Sequence, residues 1–183
     1  MENNKIRAFI SIDLSREAIN YIKEIQKLIK KQNLLNGKFT DPENLHLTLK
    51  FLGGINEEKI EAVKKKLKEI KIKSFEAELG EAGIFNEHFL KIIWIKLNGK
   101  GIFELQKQID EKLSDLFEKE NRFMSHITIA RIKNVGNKKG LLGYIENMKT
   151  EKITFKVKDF VIKKSELKPE GPVYTDIKRY ELE

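Results

Sequence analysis

The sequence of 183 residues contains no cysteine, three prolines, one tryptophan and only three histidines. Without cysteine the chain can form no disulfide, no thiolate metal site and no cysteine nucleophile. No apolar stretch reaches the roughly 18–20 residues that a helix needs to cross a bilayer. The opening residues MENNKIRAFISIDLS also show no cleavable signal pattern. These absences predict a cytoplasmic protein with no membrane partner.

Charge, in contrast, is plentiful. Lysine and arginine number 36 against 28 aspartates and glutamates, which gives a formal net charge of +8. A basic excess attracts polyanions such as nucleic acid, although a charge-rich solvated surface explains the same number equally well. The hydrophobic fraction of 40% is enough for a core, and the length suits one domain or two small lobes that share an interface.

The hydrophobic pattern predicts the same order of elements in both halves of the chain, namely strand, helix, strand, helix, strand. In the first half Ser15 and Asn56 are the expected caps of the two helices. The first half reads as strand 6–12, helix 16–33, a turn-rich piece 36–42, strand 45–51, a helix after Asn56 and strand 75–79. The second half reads as strand 89–97, helix 101–119, strand 126–129, helix 139–148 and strand 153–162.

This repetition predicts an α+β fold with two pseudo-symmetric lobes, each with an antiparallel-type sheet and flanking helices. The expected repeats cover about 5–80 and 88–164 of a single domain 1–183. A terminal strand over about 172–181 has no counterpart and should complete one of the sheets. The active cleft is expected between the lobes.

Two of the three histidines begin the pattern His-x-Thr-hydrophobic, at His46-Leu47-Thr48-Leu49 and at His126-Ile127-Thr128-Ile129. Because residues i and i+2 of a strand project from one face, each imidazole stands beside a hydroxyl while the aliphatic residue between them enters the core. Two such strands facing each other across a cleft would hold a phosphate between the imidazoles. A Thr hydroxyl on each side could then donate to a non-bridging oxygen.

In-line displacement at phosphorus needs this two-sided arrangement, in which one neutral imidazole takes a proton from water and the other, protonated, gives one to the leaving oxygen. The unperturbed histidine pKa of about 6.5 allows both forms near neutrality. A single histidine on such a strand is more often a surface or hydrogen-bonded residue, but a matched pair favours catalysis. Two histidines could also bind a metal, yet neither motif has a carboxylate or third histidine nearby. We therefore expect neither a metal nor another cofactor, and His88 is expected to be exposed.

The two motif segments, 43–53 (ENLHLTLKFLG) and 125–131 (SHITIAR), resemble the HxTx motifs of the two-histidine phosphoesterases. They are most similar to the RNA 2′,3′-cyclic 3′-phosphodiesterase branch, also called 2′-5′ RNA ligase. The segments 7–13 (RAFISID), 164–167 (KSEL) and 171–174 (GPVY) extend the resemblance over nearly the whole chain.

The resemblance implies metal-independent hydrolysis of an RNA-terminal 2′,3′-cyclic phosphate to a 2′-phosphomonoester, as part of RNA processing. It implies that His46 is the proton donor, that His126 is the proton acceptor, and that Thr48 and Thr128 bind the phosphate. RNA ends or nucleoside cyclic phosphates would be the partners of a monomeric enzyme. Ligation of a cyclic phosphate to a 5′-hydroxyl at the same site, or a non-catalytic RNA-binding role, are the alternatives.

Several other residues carry weaker expectations. Arg131 is predicted to bind the substrate phosphate or to stack on a base, although a solvated surface charge is an equal alternative. Lys50 is placed by strand alternation on the face of His46 and Thr48, at the rim of the cleft, with a solvated surface charge again as an equal alternative. Phe9 and Tyr174 are candidates for base stacking, with core packing preferred for Phe9. The basic runs 64–66 and 163–164 are read as solvated faces that could steer RNA.

Overall fold

The computed structural model describes residues 5–183. Within that range it contains nine strands, four α-helices and one short 3-10 helix. In chain order these are β1 (Ile6–Asp13), α1 (Arg16–Lys31), β2 (Leu35–Phe39), the 3-10 helix (Pro42–Asn44), β3 (His46–Ile55), α2 (Glu57–Leu67), β4 (Phe75–Ile84), β5 (Ile92–Asn98), α3 (Lys100–Lys112), β6 (His126–Val135), α4 (Lys138–Glu146), β7 (Thr154–Val157), β8 (Asp159–Lys168) and β9 (Gly171–Glu181). Residues 1–4, which belong to the predicted domain 1–183 and to the opening segment without a signal pattern, lie outside the described residues.

The helices begin where side-chain acceptors satisfy backbone N–H groups that lack a partner within the helix. The Ser15 hydroxyl accepts a hydrogen bond from the N–H of Ala18, as expected from the sequence. The Asn56 side chain accepts one from the N–H of Lys59, which confirms the second predicted cap. Each helix then turns an apolar stripe toward the sheet. In α1 the stripe consists of Ala18, Ile22, Ile25 and Ile29.

All the strand pairs are antiparallel, and the strands follow the order β7-β4-β5-β6-β3-β1-β8-β9, with β2 also paired to β6. Two groups can be distinguished along this path. The β3 lobe consists of β3, β1, β8 and β9, and the β6 lobe consists of β6, β5, β4, β7 and β2. The two histidine strands touch at one registered pair, Leu47 with Ile127. The predicted bilobal α+β fold is therefore confirmed, with the lobes diverging from the point where β3 meets β6.

The lobes are not contiguous halves of the chain, and here two predicted elements were wrong. The strand expected over 153–162 is two strands, because the chain crosses from β7 in the β6 lobe to β8 in the β3 lobe. The turn-rich piece expected over 36–42 overlaps β2, which adds to β6 in the other lobe. Gly37 fits this strand because a Cβ atom there would lie 2.3 Å from the carbonyl oxygen of Arg131. The repeat boundaries 5–80 and 88–164 stay a prediction.

Smaller differences concern where elements begin and end. The strand expected from residue 89 begins at Ile92, because the Asn86 side chain accepts hydrogen bonds from the N–H groups of His88 and Phe89 and holds them in a turn. The helix expected to reach residue 119 ends at Lys112, and the chain then runs without regular structure to β6. The terminal strand pairs with β8 along its length, as predicted.

The core lies between the sheet and helices α1 to α4 and is mostly aliphatic. Its largest fully buried side chains include Phe160, Ile22, Leu47 and Ile95. Helices α1 and α3 pack near the histidine strand of the opposite repeat, α1 against β6 and α3 against β3. No helix within residues 5–183 is both long and apolar enough to span a membrane.

Candidate active site

A cavity of about 560 Å³ lies between the two histidine strands. Its wall includes all five residues predicted for the site, namely His46, Thr48, His126, Thr128 and Arg131. All five lie on β3 and β6. The cleft opens where these two strands diverge, and their side chains line it. The structure thus brings the predicted residues together.

His46 is held in one orientation by its neighbours in the chain. Its Nδ1 lies 2.7 Å from the carbonyl oxygen of Asn44. Because a carbonyl can only accept, Nδ1 carries the hydrogen, and in the neutral ring Nε2 keeps its lone pair. The hydroxyl of Thr48 lies 3.0 Å from Nε2 and donates to it. The ring nitrogen that can exchange a proton therefore stands beside the threonine predicted to bind phosphate.

His126 repeats this arrangement in the other lobe. Its Nδ1 lies 2.8 Å from the carbonyl oxygen of Met124, so Nδ1–H donates and Nε2 is again the nitrogen with the lone pair. In both repeats the acceptor is the carbonyl of the residue two positions before the histidine. Two imidazoles with matched tautomers thus line one cavity, which is the geometry that a paired acid and base require.

A β-bulge follows each His-x-Thr motif. Ile10 pairs with Lys50 and Ser11 with Thr48, so Leu49 is an extra residue in β3. Ile129 is the corresponding extra residue in β6, which pairs with β5 on either side of it. A bulge reverses the alternation of a strand beyond it. The residue five positions after each histidine consequently turns into the cleft, and these residues are Phe51 and Arg131.

Lys50 lines the cavity, as expected, but its side chain does not share the face of His46 and Thr48. Because of the bulge, Lys50 points into the protein and is 6% exposed, and its ammonium group forms an ion pair with Asp110. Of the basic runs, Lys163 is bound between Asp13 and Asp176, while Lys64 and Lys66 pair with Glu61 and Asp115.

Sequence reasoning missed two exposed aromatic residues that line the cavity, namely Phe85, whose ring lies edge-on 4.7 Å from that of His126, and Phe51. The side chain of Phe51 is 72% exposed although it is a large aromatic. The available signal was its place five residues after His46, since Arg131 stands five residues after His126. Phe9 is buried, as preferred from the sequence, and its ring centroid lies 4.9 Å from that of His46. The ring of Tyr174 meets His46 edge-on at 5.2 Å.

Burial dominates the electrostatics of both imidazoles. It lowers the pKa of His46 to about 4, with the cations Lys163 and Arg131 acting in the same direction. The Asn44 carbonyl and the Asp13 carboxylate oppose that shift. Burial also lowers the pKa of His126, and Arg131 contributes in the same direction. Both rings are thus biased toward the neutral form until an anion enters the cleft.

Metal binding finds little support in the side chains that surround this cleft. Across residues 5–183 no three histidine or carboxylate side chains come together in a way that could hold a metal ion. His88 is exposed in its turn, as predicted, and does not line the cavity.

Comparison with known proteins agrees with this geometry. A family model for LigT-like phosphoesterases matches residues 12–94 and again 95–174. An RNA 2′,3′-cyclic phosphodiesterase of Methanocaldococcus jannaschii is 35% identical over 96% of this chain and 100% of its own length. A protein of the same name from Methanothermobacter thermautotrophicus is 30% identical over 97% of this chain and 100% of its own length.

Among solved structures, the protein TT0787 of Thermus thermophilus superposes with a TM-score of 0.79 at 25% identity. The match covers 96% of this chain and 97% of that protein. The fold, the pair of motifs and the near-complete coverage all lead to one group of proteins.

Proposed function

Because the chain belongs to the LigT-like phosphoesterase family, we propose that it hydrolyses the terminal 2′,3′-cyclic phosphate of RNA to a 2′-phosphomonoester. The observation that carries this proposal is the matched pair His46 and His126. Each has its Nδ1 fixed by a backbone carbonyl, and both line one cavity. Two relatives named RNA 2′,3′-cyclic phosphodiesterase, aligned over 96% and 97% of this chain, bear the name of the same reaction class.

In the proposed reaction, Nε2 of His126 removes a proton from a water molecule as the water oxygen forms a bond to phosphorus. The bond between phosphorus and O3′ breaks on the opposite side, and protonated His46 gives its Nε2 proton to O3′. The O2′–phosphorus bond remains, which leaves a 2′-phosphate and a 3′-hydroxyl. General acid and base catalysis of this kind typically contributes about 10²–10⁴-fold to a rate.

The two sides of the cleft differ at the position five residues after each histidine, which is Phe51 on the His46 side and Arg131 on the His126 side. Aromatic rings stand on both sides, since Phe9 and Tyr174 lie beside His46 and the ring of Phe85 meets His126 edge-on at 4.7 Å. The leaving oxygen stays attached to the nucleoside, and the attacking water does not. A nucleoside that stacks its base against Phe51 would place its ribose oxygens near His46, the proposed acid.

Without bound substrate, burial disfavours the protonated form of His46 that the proposed reaction needs. A bound cyclic phosphate adds a negative charge between the rings, which stabilises the charged imidazole and raises its pKa. Arg131 balances the remaining phosphate charge, and the hydroxyls of Thr48 and Thr128 supply donors to non-bridging oxygens. Thr48 would then exchange its hydrogen bond to His46 for one to phosphate.

Ligation at the same site is not favoured over hydrolysis, because the relatives are named phosphodiesterases. A binding module without catalysis does not require two imidazoles with matched tautomers. Substrates of the proposed activity are RNA ends or nucleoside cyclic phosphates. The monomeric state and the cytoplasmic location stay predictions.

A single incubation tests the proposed function. An oligonucleotide that ends in a 2′,3′-cyclic phosphate is mixed with the protein in EDTA, and the position of the product phosphate is identified by ³¹P and ¹H NMR. We expect a 2′-phosphate, formed at the same rate with and without EDTA. Absence of turnover, a 3′-phosphate product or inhibition by the chelator would contradict the proposal.

Substitution of the histidines tests the assignment of the pair. His46→Ala and His126→Ala should each lower kcat by about 10²–10⁴-fold, because each removes one proton-transfer group. Thermal unfolding should show that both variants remain folded. His88→Ala is the matched control and should retain the parent rate, since His88 lies outside the cleft. A rate near that of the parent in either cleft variant would remove that histidine from the mechanism.

A further inference from the structure

Seven polar or charged residues are buried within the described part of the chain: Ser11, Gln26, Asn44, Lys50, Gln106, Asp110 and Ser125. Several of them hold the chain segments that lead into the two histidine strands. Buried polar groups of this kind are costly unless each is hydrogen-bonded, and satisfied networks fix one geometry. The hydrogen bonds of these buried residues therefore indicate which chain segments the fold holds in place.

Gln26 and Gln106 occupy equivalent places in the two repeats, on α1 and α3, 80 positions apart like the histidines. In the first repeat Gln26 donates to the carbonyls of Thr40 and Ile129, at 2.8 and 2.9 Å. Gln26 thereby connects Thr40, in the segment that leads to His46, directly to the opposite histidine strand β6. In the second repeat Gln106 instead donates to the Asp110 carboxylate, at 2.7 Å. The contact made by Gln106 therefore depends on a charged group, the Asp110 carboxylate.

That charge has a partner on the opposite strand. Lys50, on β3, forms its buried ion pair with one oxygen of Asp110. The bulge brings Ala130 to the equivalent place in β6, where it is fully buried without any polar group. The fold therefore does not require a charge at this position. Since apolar replacements of a buried ion pair are often neutral or stabilising, stability alone is a weak explanation for this one.

The Lys50–Asp110 pair forms hydrogen bonds with the segment that leads into β6. The Lys50 ammonium group donates to the carbonyl of Glu118 at 2.7 Å. The second oxygen of Asp110 accepts from the N–H of Glu120 at 3.0 Å. Between α3 and β6 this segment has no regular structure. It continues to Met124, whose carbonyl sets the tautomer of His126.

We propose that the buried Lys50–Asp110 pair is a positioning element for His126. By holding Glu118 and Glu120 it fixes the path of the segment, and so the place of the Met124 carbonyl and of the His126 ring across from His46. Lys50 stands four residues after His46 on the same strand, so the pair links the placement of one histidine to that of the other. This inference rests on the proposed function only for its activity readout.

The decisive variant is the double substitution Lys50→Met with Asp110→Leu, which removes both charges at once and fills their volume. It should fold with a melting temperature below that of the parent, because Gln106, the Glu118 carbonyl and the Glu120 N–H lose their partners, while no charge is left unpaired. Its kcat on a 2′,3′-cyclic nucleotide should fall by about 10²-fold, as expected when a reacting group is misplaced by about 1 Å. KM should change little, because Thr48, Thr128 and Arg131 remain.

A second readout needs no substrate. Long-range ¹⁵N–¹H NMR of the histidine rings should show a single Nδ1–H tautomer for His126 in the parent. In the double variant a mixture of tautomers is expected, with His46 unchanged because its carbonyl belongs to Asn44. If the parent shows no turnover, the proposed function fails, and the tautomer measurement still decides whether the pair positions His126.

The matched control is Lys66→Met with Asp115→Leu, an ion pair of 3.0 Å that also reaches the segment between α3 and β6 but is more exposed. This control should retain both the parent kcat and the single tautomer. Parent-like kcat with an undisturbed His126 tautomer in the Lys50/Asp110 double variant would overturn the proposal. Unfolding of that variant would overturn it as well, because the pair would then serve stability.

Discussion

At the scale of single residues, burial decides the pH range in which one proton can be distributed over two histidines. Catalysis requires one protonated and one neutral ring, while the fold holds the pKa of His46 at about 4 and that of His126 below its usual value of 6.5. Above both pKa values the free enzyme carries no proton on either ring. Below both, neither ring can act as a base.

We therefore predict a bell-shaped pH profile of kcat/KM whose maximum lies on the acidic side of pH 6.5. The quantity kcat/KM reports the free enzyme, so its limbs should follow the lowered pKa values of the two rings. The rate should fall as the pH rises from 6.5 to 9. Initial rates on a 2′,3′-cyclic nucleotide in buffers of constant ionic strength measure this, and a kcat/KM that climbs through pH 9 would contradict it.

The profile of kcat reports the complex with substrate and should be displaced toward higher pH. The bound phosphate favours protonation of His46, and the acid form then persists to a higher pH than in the free enzyme. The difference between the two profiles measures the effect of the substrate charge.

The histidine pair could be read from the sequence because the pattern His-x-Thr on an alternating strand is local. The positions of Phe51 and Lys50 could not be read in the same way. A bulge is defined by a register with neighbouring strands, and simple alternation assigned Lys50 to the wrong face. Caps such as Ser15 were predictable since their hydrogen bonds span only three residues.

At the scale of elements, the pairing of β2 with β6 supports the strand that carries Arg131. Gly37 faces Ile132 in this pairing, and its missing side chain leaves room for the Arg131 carbonyl. Sequence analysis read this piece as a turn, because Asn-Gly is a common turn signal and the partner strand lies about 90 residues further along the chain. The same difficulty affected β7 and β8, whose separation depends on contacts with two different lobes.

Gly37→Ala should destabilise the protein by about 1–3 kcal/mol, because the new methyl group would overlap backbone atoms that cannot rotate away. Displacement of β6 at Arg131 should also raise KM for a cyclic phosphate. Chemical denaturation and steady-state kinetics measure the two effects.

Gly143→Ala introduces the same methyl group inside α4, where nothing lies within 4 Å of it. This control should gain about 0.5–1 kcal/mol of stability, since alanine favours a helix over glycine. Equal stability of the two variants would show that β2 does not pack against β6 as described.

At the scale of the whole molecule, part of the positive charge behind the net value of +8 lies at the cleft. Arg7, Lys38, Arg122 and Arg131 all line it. An RNA chain that extends out of the cavity would pass such cations with its upstream phosphates. A mononucleotide would reach few of them.

Salt should therefore weaken the binding of an oligonucleotide more than that of a cyclic mononucleotide. Each additional phosphate contact adds about 0.7 to the slope of log affinity against log salt for a single strand. KM measured between 50 and 200 mM KCl, about the range in which such effects are large, gives the two slopes. Arg122→Gln should lower the oligonucleotide slope, whereas Lys158→Gln, outside the cleft, should leave it unchanged. Identical slopes for both substrates would contradict an extended binding path.

The exchange of strands between the lobes also determines when the enzyme can first become active during its synthesis. β1 lies between β3 and β8, and Tyr174 of β9 contacts His46. Both histidines leave the ribosome well before these late strands do. The nascent chain must keep β1 without one of its neighbours until β8 emerges, and such non-local pairing slows folding. We therefore expect the complete site to form only after β8 and β9 have been translated.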